Sequence, residues 1–118
     1  MARKDALRIR EEVAVAATGT GTIRTEPVPA GEIWCVQSLA YRNVTGTRGA
    51  ATFIVDRDGV QHVLRYEGTV TQSAWYNYAE QQYLYPGERV QVEQATCTAA
   101  DKLHLHIMGY ILFTKDMK

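Results

Sequence analysis

The sequence predicts an all-β fold, an antiparallel β-sandwich of jelly-roll type with about eight strands. Short stretches with apolar residues at every second position recur along the chain, and turns containing Gly, Pro or Asp separate them at intervals of about 8–12 residues. Beyond residue 12, no stretch has the period of an amphipathic helix. The 118 residues suit one domain of two four-stranded sheets. An open two-sheet Greek key is the alternative, because the pattern does not give the order in which strands pair.

The N-terminus is expected to lie outside the sandwich. Three parts are predicted along the chain: an N-terminal arm, a β-sandwich domain and a charged tail, at residues 1–12, 13–114 and 115–118 respectively. The arm has a helix-like pattern of charges around Leu7 and Ile9, but an isolated helix of this length is marginal in water. Its positive bias leaves two interpretations open: a solvated terminus, or a docking arm that contacts a partner through Leu7, Arg8 and Ile9.

The first strands of the sandwich follow the arm. Val13 and Val15 alternate with small residues, and the Gly- and Thr-rich segment at 18–22 predicts a turn. The Pro-Val-Pro-Ala-Gly-Glu segment at 27–32 predicts the start of a strand just after it, because Pro lacks the N–H that a ladder needs. Residues 33–41 form that strand. It is apolar on both faces near its start, which indicates a central strand between two layers.

The middle of the chain predicts a β-hairpin. Residues 51–55 are a strand, and the Asp-Arg-Asp-Gly segment at 56–59 is a turn signal with Gly where a positive φ is required. Residues 60–66 return as the partner strand. Two strands are predicted in the last third of the chain: residues 89–93, which open after a Pro-Gly-Glu segment and alternate cleanly, and residues 102–112.

Composition and charge exclude several classes of protein. The formal net charge is zero, whereas a protein that grips nucleic acid normally has a basic excess, so no nucleic-acid partner is expected. No run of about 18 apolar residues predicts a membrane span, and no secretory signal is expected at the N-terminus. Cys35 and Cys97 have no zinc-site spacing and are expected to be buried, reduced side chains; a disulfide between them stays open.

His104 and His106 are the strongest candidates for metal ligands. Two residues apart on one strand, they point to the same face, and His62 is a possible third ligand. The same spacing follows if the Leu and Ile residues between them face the core, and no Glu or His follows them as a cupin-type site would need. No nucleophile motif is present. We therefore expect no enzyme activity, no catalytic residues, no metal and no cofactor.

A cluster of aromatic residues is the candidate interaction site. Polar side chains surround it, as at the rim of an interface. Its members are Trp75, Tyr76, Tyr78, Tyr83 and Tyr85. Such side chains suit contact surfaces and sugar-stacking platforms, but they also fill the ends of sandwiches, so both interpretations stay open.

Three segments carry a resemblance to a known family: Val-Pro-Ala-Gly-Glu-Ile-Trp at 28–34, Leu-Tyr-Pro-Gly-Glu-Arg-Val at 84–90, and Asp-Lys-Leu-His-Leu-His-Ile-Met-Gly-Tyr at 101–110. Together they make the chain similar to small jelly-roll virion proteins of tailed bacteriophages, especially capsid decoration (cement) proteins. The resemblance implies a homotrimer on the capsid exterior, made in the host cytoplasm, that contacts the major capsid protein with loops and a terminal arm. A carbohydrate- or receptor-binding module of a phage tail or capsid is the alternative, with Trp75 and the tyrosines as its platform.

Overall fold

The computed structural model describes residues 4–114; the expected tail and the first three residues of the expected arm lie outside the described residues. The described residues contain no α-helix and form two antiparallel sheets packed as a sandwich, which confirms the predicted fold class. The strands are β1 (Lys4–Ala14), β2 (Gly19–Arg24), β3 (Glu32–Asn43), β4 (Ala51–Arg57), β5 (Val60–Glu67), β6 (Tyr76–Tyr78), β7 (Gln82–Leu84), β8 (Arg89–Cys97) and β9 (Lys102–Phe113).

The strand pairing has the nested order of a jelly roll. β1 pairs with β9, β2 with β8, β3 with β6 and β7, and β4 with β5, as if one long hairpin had been rolled up. The first sheet has the order β1-β9-β3-β6, with β7 also on β3, and the second has the order β2-β8-β4-β5. The short strands β6 and β7 pair with different parts of β3, so they occupy one strand position. The sandwich thus has eight strand positions.

The expected N-terminal arm is corrected by the structure, because β1 is an edge strand of the first sheet. It pairs with β9 without a register shift from Lys4 opposite Leu112 to Ala14 opposite Lys102. Leu7 is 4% exposed and belongs to the core. The charges of this segment made it resemble a solvated terminus, but many of them simply occupy the outward positions of a half-buried strand. The sandwich therefore begins at β1 and not at residue 13.

The core fills the space between the inner faces of the two sheets. Tyr41 of β3 and Phe53 of β4 meet edge to face, with ring centroids 6.1 Å apart. Leu105 and Ile107 of β9 are fully buried in the same cluster. Both cysteines are also buried and unpaired, as expected from their apolar surroundings. None of the described residues forms a helix that is long and apolar enough to cross a membrane.

A buried polar network closes one end of this core. Arg48 donates from Nε and Nη2 to the two carboxylate oxygens of Asp101, at 2.6 and 2.8 Å. Asn43 Nδ2 donates to Asp101 at 3.3 Å and to Gln94 at 3.4 Å, and the Tyr41 hydroxyl donates to Gln94. The hydrogen bonds from Arg48 are the main reason that the pKa of Asp101 is lowered to about 2. The network ties β3, β8 and the turn before β9 to the loop that follows β3.

Candidate interaction surfaces

The outer face of the first sheet places polar side chains from three strands side by side. Cross-strand partners share a face, and Arg10 of β1, His106 of β9 and Ala40 of β3 lie in one row. Glu12, His104 and Arg42 form the next row. These strands, β1, β3 and β9, are far apart in the chain, so only the fold brings these residues together.

Trp75 lies over this face and contacts three of its side chains. The ring centroid of Trp75 is 4.7 Å from that of His106 and 6.5 Å from that of His104, and the Arg42 guanidinium carbon is 4.4 Å from the indole centroid. The last contact has the geometry of a cation–π interaction. Trp75 keeps 37% of its surface exposed. The side chain is therefore held by the sheet beneath it while part of it faces solvent.

The two imidazoles have different surroundings. Arg42 Nε donates to His104 Nδ1 at 3.2 Å, so the proton of a neutral His104 ring lies on Nε2, which is 3.8 Å from a Glu12 carboxylate oxygen. The pKa of His106 is lowered, first by its partial burial and then by the positive charge of Arg10. His106 is therefore neutral at pH 7.

The predicted metal ligands do not converge. His104 and His106 lie on the first sheet with ring centroids 6.5 Å apart, whereas His62 lies on β5 of the second sheet. Among residues 4–114, no group of three or more His, Cys, Asp or Glu side chains is placed to hold a metal ion. The pair instead packs against Trp75 and Arg42.

Apart from Trp75, the structure divides the aromatic cluster into two groups. Tyr76 and Tyr78 are half-buried and pack against the core, and Tyr76 accepts a hydrogen bond from the Thr71 amide at 2.8 Å. Tyr83 and Tyr85 are 47% and 51% exposed. The core-filling interpretation thus describes the first pair, whereas the second pair is exposed to solvent.

The three candidate docking residues of the N-terminal segment are also separated. Leu7 is buried in the core and Ile9 packs against it, so neither is available as an anchor for a partner. Arg8 is exposed on the outer face, opposite Met108, which is 52% exposed. Of the three, Arg8 alone has an exposed side chain.

An exposed apolar patch on the second sheet was missed by the sequence reasoning. Val63 and Tyr66 of β5 are 62% and 60% exposed and lie on the outer face, opposite Ile54 and Thr52 of β4. Ile54 is 2% exposed yet lies outside the core cluster, so neighbouring side chains cover it on the outer face. A register shift in β5 disturbs the alternation, and the period of two that reveals a half-buried strand is lost there.

Of the hollows on the described surface, one is smaller than a usual ligand pocket, and a larger one is lined by Val, Ala, Thr and Gly residues with no ionisable side chain. One of about 210 Å³ lies at the end of the outer face of the first sheet, beside Glu12 and His104. Another of about 420 Å³ lies along the connection from β1 to β2. Pockets for small molecules usually enclose about 300–1,000 Å³ and several convergent polar groups. The exposed side chains on the sheet faces are therefore the stronger candidates for a site.

Comparison with known proteins gives a fold but no family. No protein-family model and no curated protein matches the chain. A solved chain from Bacillus endospore appendages, described as disulfide-linked pili, matches 96% of this chain and 90% of its own length, with 14% identity and a TM-score of 0.56. This likeness shows a shared fold.

Weaker likenesses are found to chains of infectious bursal disease virus. The Gt strain chain has 13% identity and a TM-score of 0.32, and the Gx strain chain 10% and 0.29. Each matches 94% of this chain, which corresponds to 32% and 42% of the viral chains. TM-scores this low do not show a shared fold.

Proposed function

We propose that the chain is a non-enzymatic structural subunit of a virion, a capsid decoration protein that binds the lattice of the major capsid protein and stabilises the head of a tailed phage. Its place would be the capsid exterior, after synthesis in the host cytoplasm. The observation that carries the proposal is the exposure of large apolar side chains on both outer faces of the sandwich. A subunit that contacts both its own copies and a lattice needs at least two such surfaces.

The exposed apolar side chains are clustered in pairs on the two outer faces. Val63 and Tyr66 share the outer face of the second sheet, while Trp75 and Met108 share that of the first. Aromatic residues and Met are enriched at protein interfaces, and clustered apolar exposure on a soluble domain typically marks an interaction site. A flat contact of standard size gives tight binding without a pocket, and repetition on a lattice adds avidity.

The buried thiols favour a non-covalent assembly. The pilus chain that shares this fold is described as disulfide-linked. In this chain Cys35 and Cys97 each have 0% exposure, so neither thiol is placed to reach another subunit. Contacts between copies would then depend on side-chain packing.

A homotrimer is the proposed form of the protein, and the Val63–Tyr66 patch is its proposed contact surface. β5 is an edge strand, but its register shift and the inward-facing Arg65 hinder the addition of another strand. Contact through the outer side chains is favoured instead. Sedimentation equilibrium should give three times the monomer mass for the wild type and for Gln61→Ala. Val63→Ser with Tyr66→Ser should give monomers. A monomeric wild type contradicts the trimer.

The direct test uses heads of the phage that carries the gene, assembled without this protein. Added protein should sediment with the heads at a fixed ratio and raise the temperature at which they release DNA. Protein that stays in the supernatant at saturating concentration contradicts the decoration role. Bovine serum albumin is a suitable control for trapping.

A carbohydrate- or receptor-binding module is the second candidate, and the exposed Tyr83 and Tyr85 favour it. Two phenol rings with about half their surface in solvent can stack on sugar rings. On a glycan array, binding that Tyr83→Ala with Tyr85→Ala abolishes would support this function. The variant should bind heads normally if the decoration role is right.

A further inference from the structure

The outer face of the first sheet is strongly basic although the whole chain is neutral. Arg8 and Arg10 of β1, Arg42 of β3 and Lys102 of β9 all lie on this face by their register. Among the described outward positions of these three strands, Glu12 is the acidic residue. We call this surface the basic face.

The composition of the basic face is typical of a protein interface. Arg, Trp and Met are enriched at such interfaces, whereas Lys and Glu are depleted. Three of the four cations are Arg, and the apolar contribution comes from Trp75 and from Met108 at 52% exposure. This mixture favours a protein partner.

The size of the basic face is close to that of a standard interface. β9 has 12 residues, which at about 3.3 Å each span about 40 Å, and three strands about 4.8 Å apart span about 14 Å. The flat area of the face is therefore about 560 Å², and the side chains that project from it add further surface. A standard interface buries about 800 Å² per partner, so most of one could fit on this face.

Part of the basic face is held in place before any partner binds. Arg42 is fixed between the indole of Trp75, 4.4 Å from its centroid, and His104 Nδ1, at 3.2 Å from Nε. A side chain that is already ordered loses less conformational entropy on binding. Arg8 and Arg10 flank this centre on the exposed edge strand.

His106 makes the face sensitive to pH. The charged or titratable groups that face the histidine pair come from all three strands: Arg10 and Glu12 of β1, Arg42 of β3, and His104 and His106 of β9. Partial burial first, and then the neighbouring cations, lower the pKa of His106 and keep it neutral, and a carboxylate brought by a partner would favour its protonated form. Binding then takes up a proton, so affinity rises as the pH falls toward 6.

We propose that the basic face is the docking surface of this protein, and that its partner presents a surface of Asp and Glu side chains. The inference rests on the proposed assembly role and adds to it which face meets the lattice and which chemistry the lattice offers. Arg8, Arg10 and Arg42 would pair with carboxylates, while Trp75 and Met108 supply apolar contact.

Poly-L-aspartate is the probe for an acidic partner surface. Two double variants, each with two Arg residues replaced by Glu, have the same net charge and differ only in which sheet carries the change. We expect the wild type to bind immobilised poly-L-aspartate at low salt. Arg8→Glu with Arg10→Glu should weaken binding by about tenfold or more. Arg24→Glu with Arg57→Glu, two exposed arginines of the second sheet, should change it by less than about twofold. Equal weakening by both pairs, or no binding by the wild type, overturns the proposal.

Two further measurements test the role of His106 and the preference for a protein partner over other polyanions. Affinity for poly-L-aspartate should rise severalfold between about pH 7.5 and pH 6 in the wild type, and His106→Gln should remove much of that rise. Polygalacturonate and duplex DNA, at matched charge concentration, should bind more weakly than poly-L-aspartate. Tighter binding of either polyanion overturns the choice of a protein partner.

Binding to phage heads separates two outcomes: either the basic face is not the docking surface, or the decoration role itself fails. If the wild type and Arg8→Glu with Arg10→Glu bind heads equally well, the decoration role stands and the basic face is not the docking surface. If the wild type does not bind heads, the decoration role fails, and the poly-L-aspartate series still tests the face. Melting curves check folding, and Arg8→Gln with Arg10→Gln replaces the reversal if that variant unfolds.

Discussion

Replacing Asp101 by Asn tests the buried polar network at the end of the core. The carboxylate accepts two hydrogen bonds from Arg48, one from Asn43 Nδ2 and one from the Thr98 amide at 3.0 Å. Its side chain is 1% exposed, and that of Arg48 is 22% exposed. Asn has nearly the same shape but no charge, so the substitution removes the ion pair with little change in packing.

The magnitude follows from the pKa of Asp101. Hydrogen bonds from Arg48 are the first cause that lowers this pKa from 3.8 to about 2 in the folded protein. Because the folded pKa is below the unfolded one, the folded state binds fewer protons, and the stabilisation is present above about pH 4 and lost as the pH falls through 2. A difference of nearly two pKa units corresponds to about 2 kcal/mol of unfolding free energy at pH 7.

Urea unfolding followed by tryptophan fluorescence measures the effect at several pH values. At pH 7, Asp101→Asn should lower the unfolding free energy by about 2 kcal/mol, and the gap to the wild type should narrow steadily between pH 4 and pH 2. Asp58→Asn is the matched control, because Asp58 is exposed in the β4–β5 turn and Asn tolerates its φ of 51°. A gap that stays constant down to pH 2 would show that the ionised carboxylate of Asp101 is not what stabilises the folded state.

Three other predictions follow from the fold. Leu7→Ala should lower the unfolding free energy by about 2–3 kcal/mol, since Leu7 is 4% exposed in the core; a change below about 0.5 kcal/mol would mean that β1 is not docked in solution. Gly109→Ala should disrupt the β3–β9 pairing and lower the melting temperature, because a Cβ there would lie 1.9 Å from a carbonyl oxygen of β3. Gly68→Ala is the control, since a Cβ at Gly68 meets nothing within 4 Å. Equal melting temperatures for the two variants would contradict this contact. EDTA should leave the melting temperature unchanged and elemental analysis should find no stoichiometric metal, because no ligand group of three forms within residues 4–114.

Local chemistry predicted most strands of this protein. The hairpin expected at 51–66 appears as β4 and β5, with Gly59 at a φ of 84° in its turn. The last strand, expected at 102–112, is β9. Alternation and turn residues act over a few positions, so they can be recognised without knowing what the strand will pair with.

The N-terminal strand shows where local patterns fail. Leu7 and Ile9 alternate with charged residues, as an edge strand with one solvated face does, but so short a pattern also resembles a helix or a flexible terminus. Pairing with β9, about one hundred residues later in the chain, decides between these structures. A contact between residues so far apart forms only when the whole sandwich closes, so the residues of the segment do not show which strand they will pair with.

Short-range alternation and apolar content were enough to predict a β-sandwich, the position of most of its strands and the burial of its cysteines, because each of these properties depends on a few neighbouring residues. The nested pairing order and the two surfaces of the proposed function become visible only in the folded chain. Arg10, Arg42 and His106 share one face because three strands distant in the chain lie in register. Val63 and Tyr66 are exposed because β5 is an edge strand with a shifted register. Register is set by packing of the complete core, so the neighbours of a surface side chain are fixed only when every strand is in place.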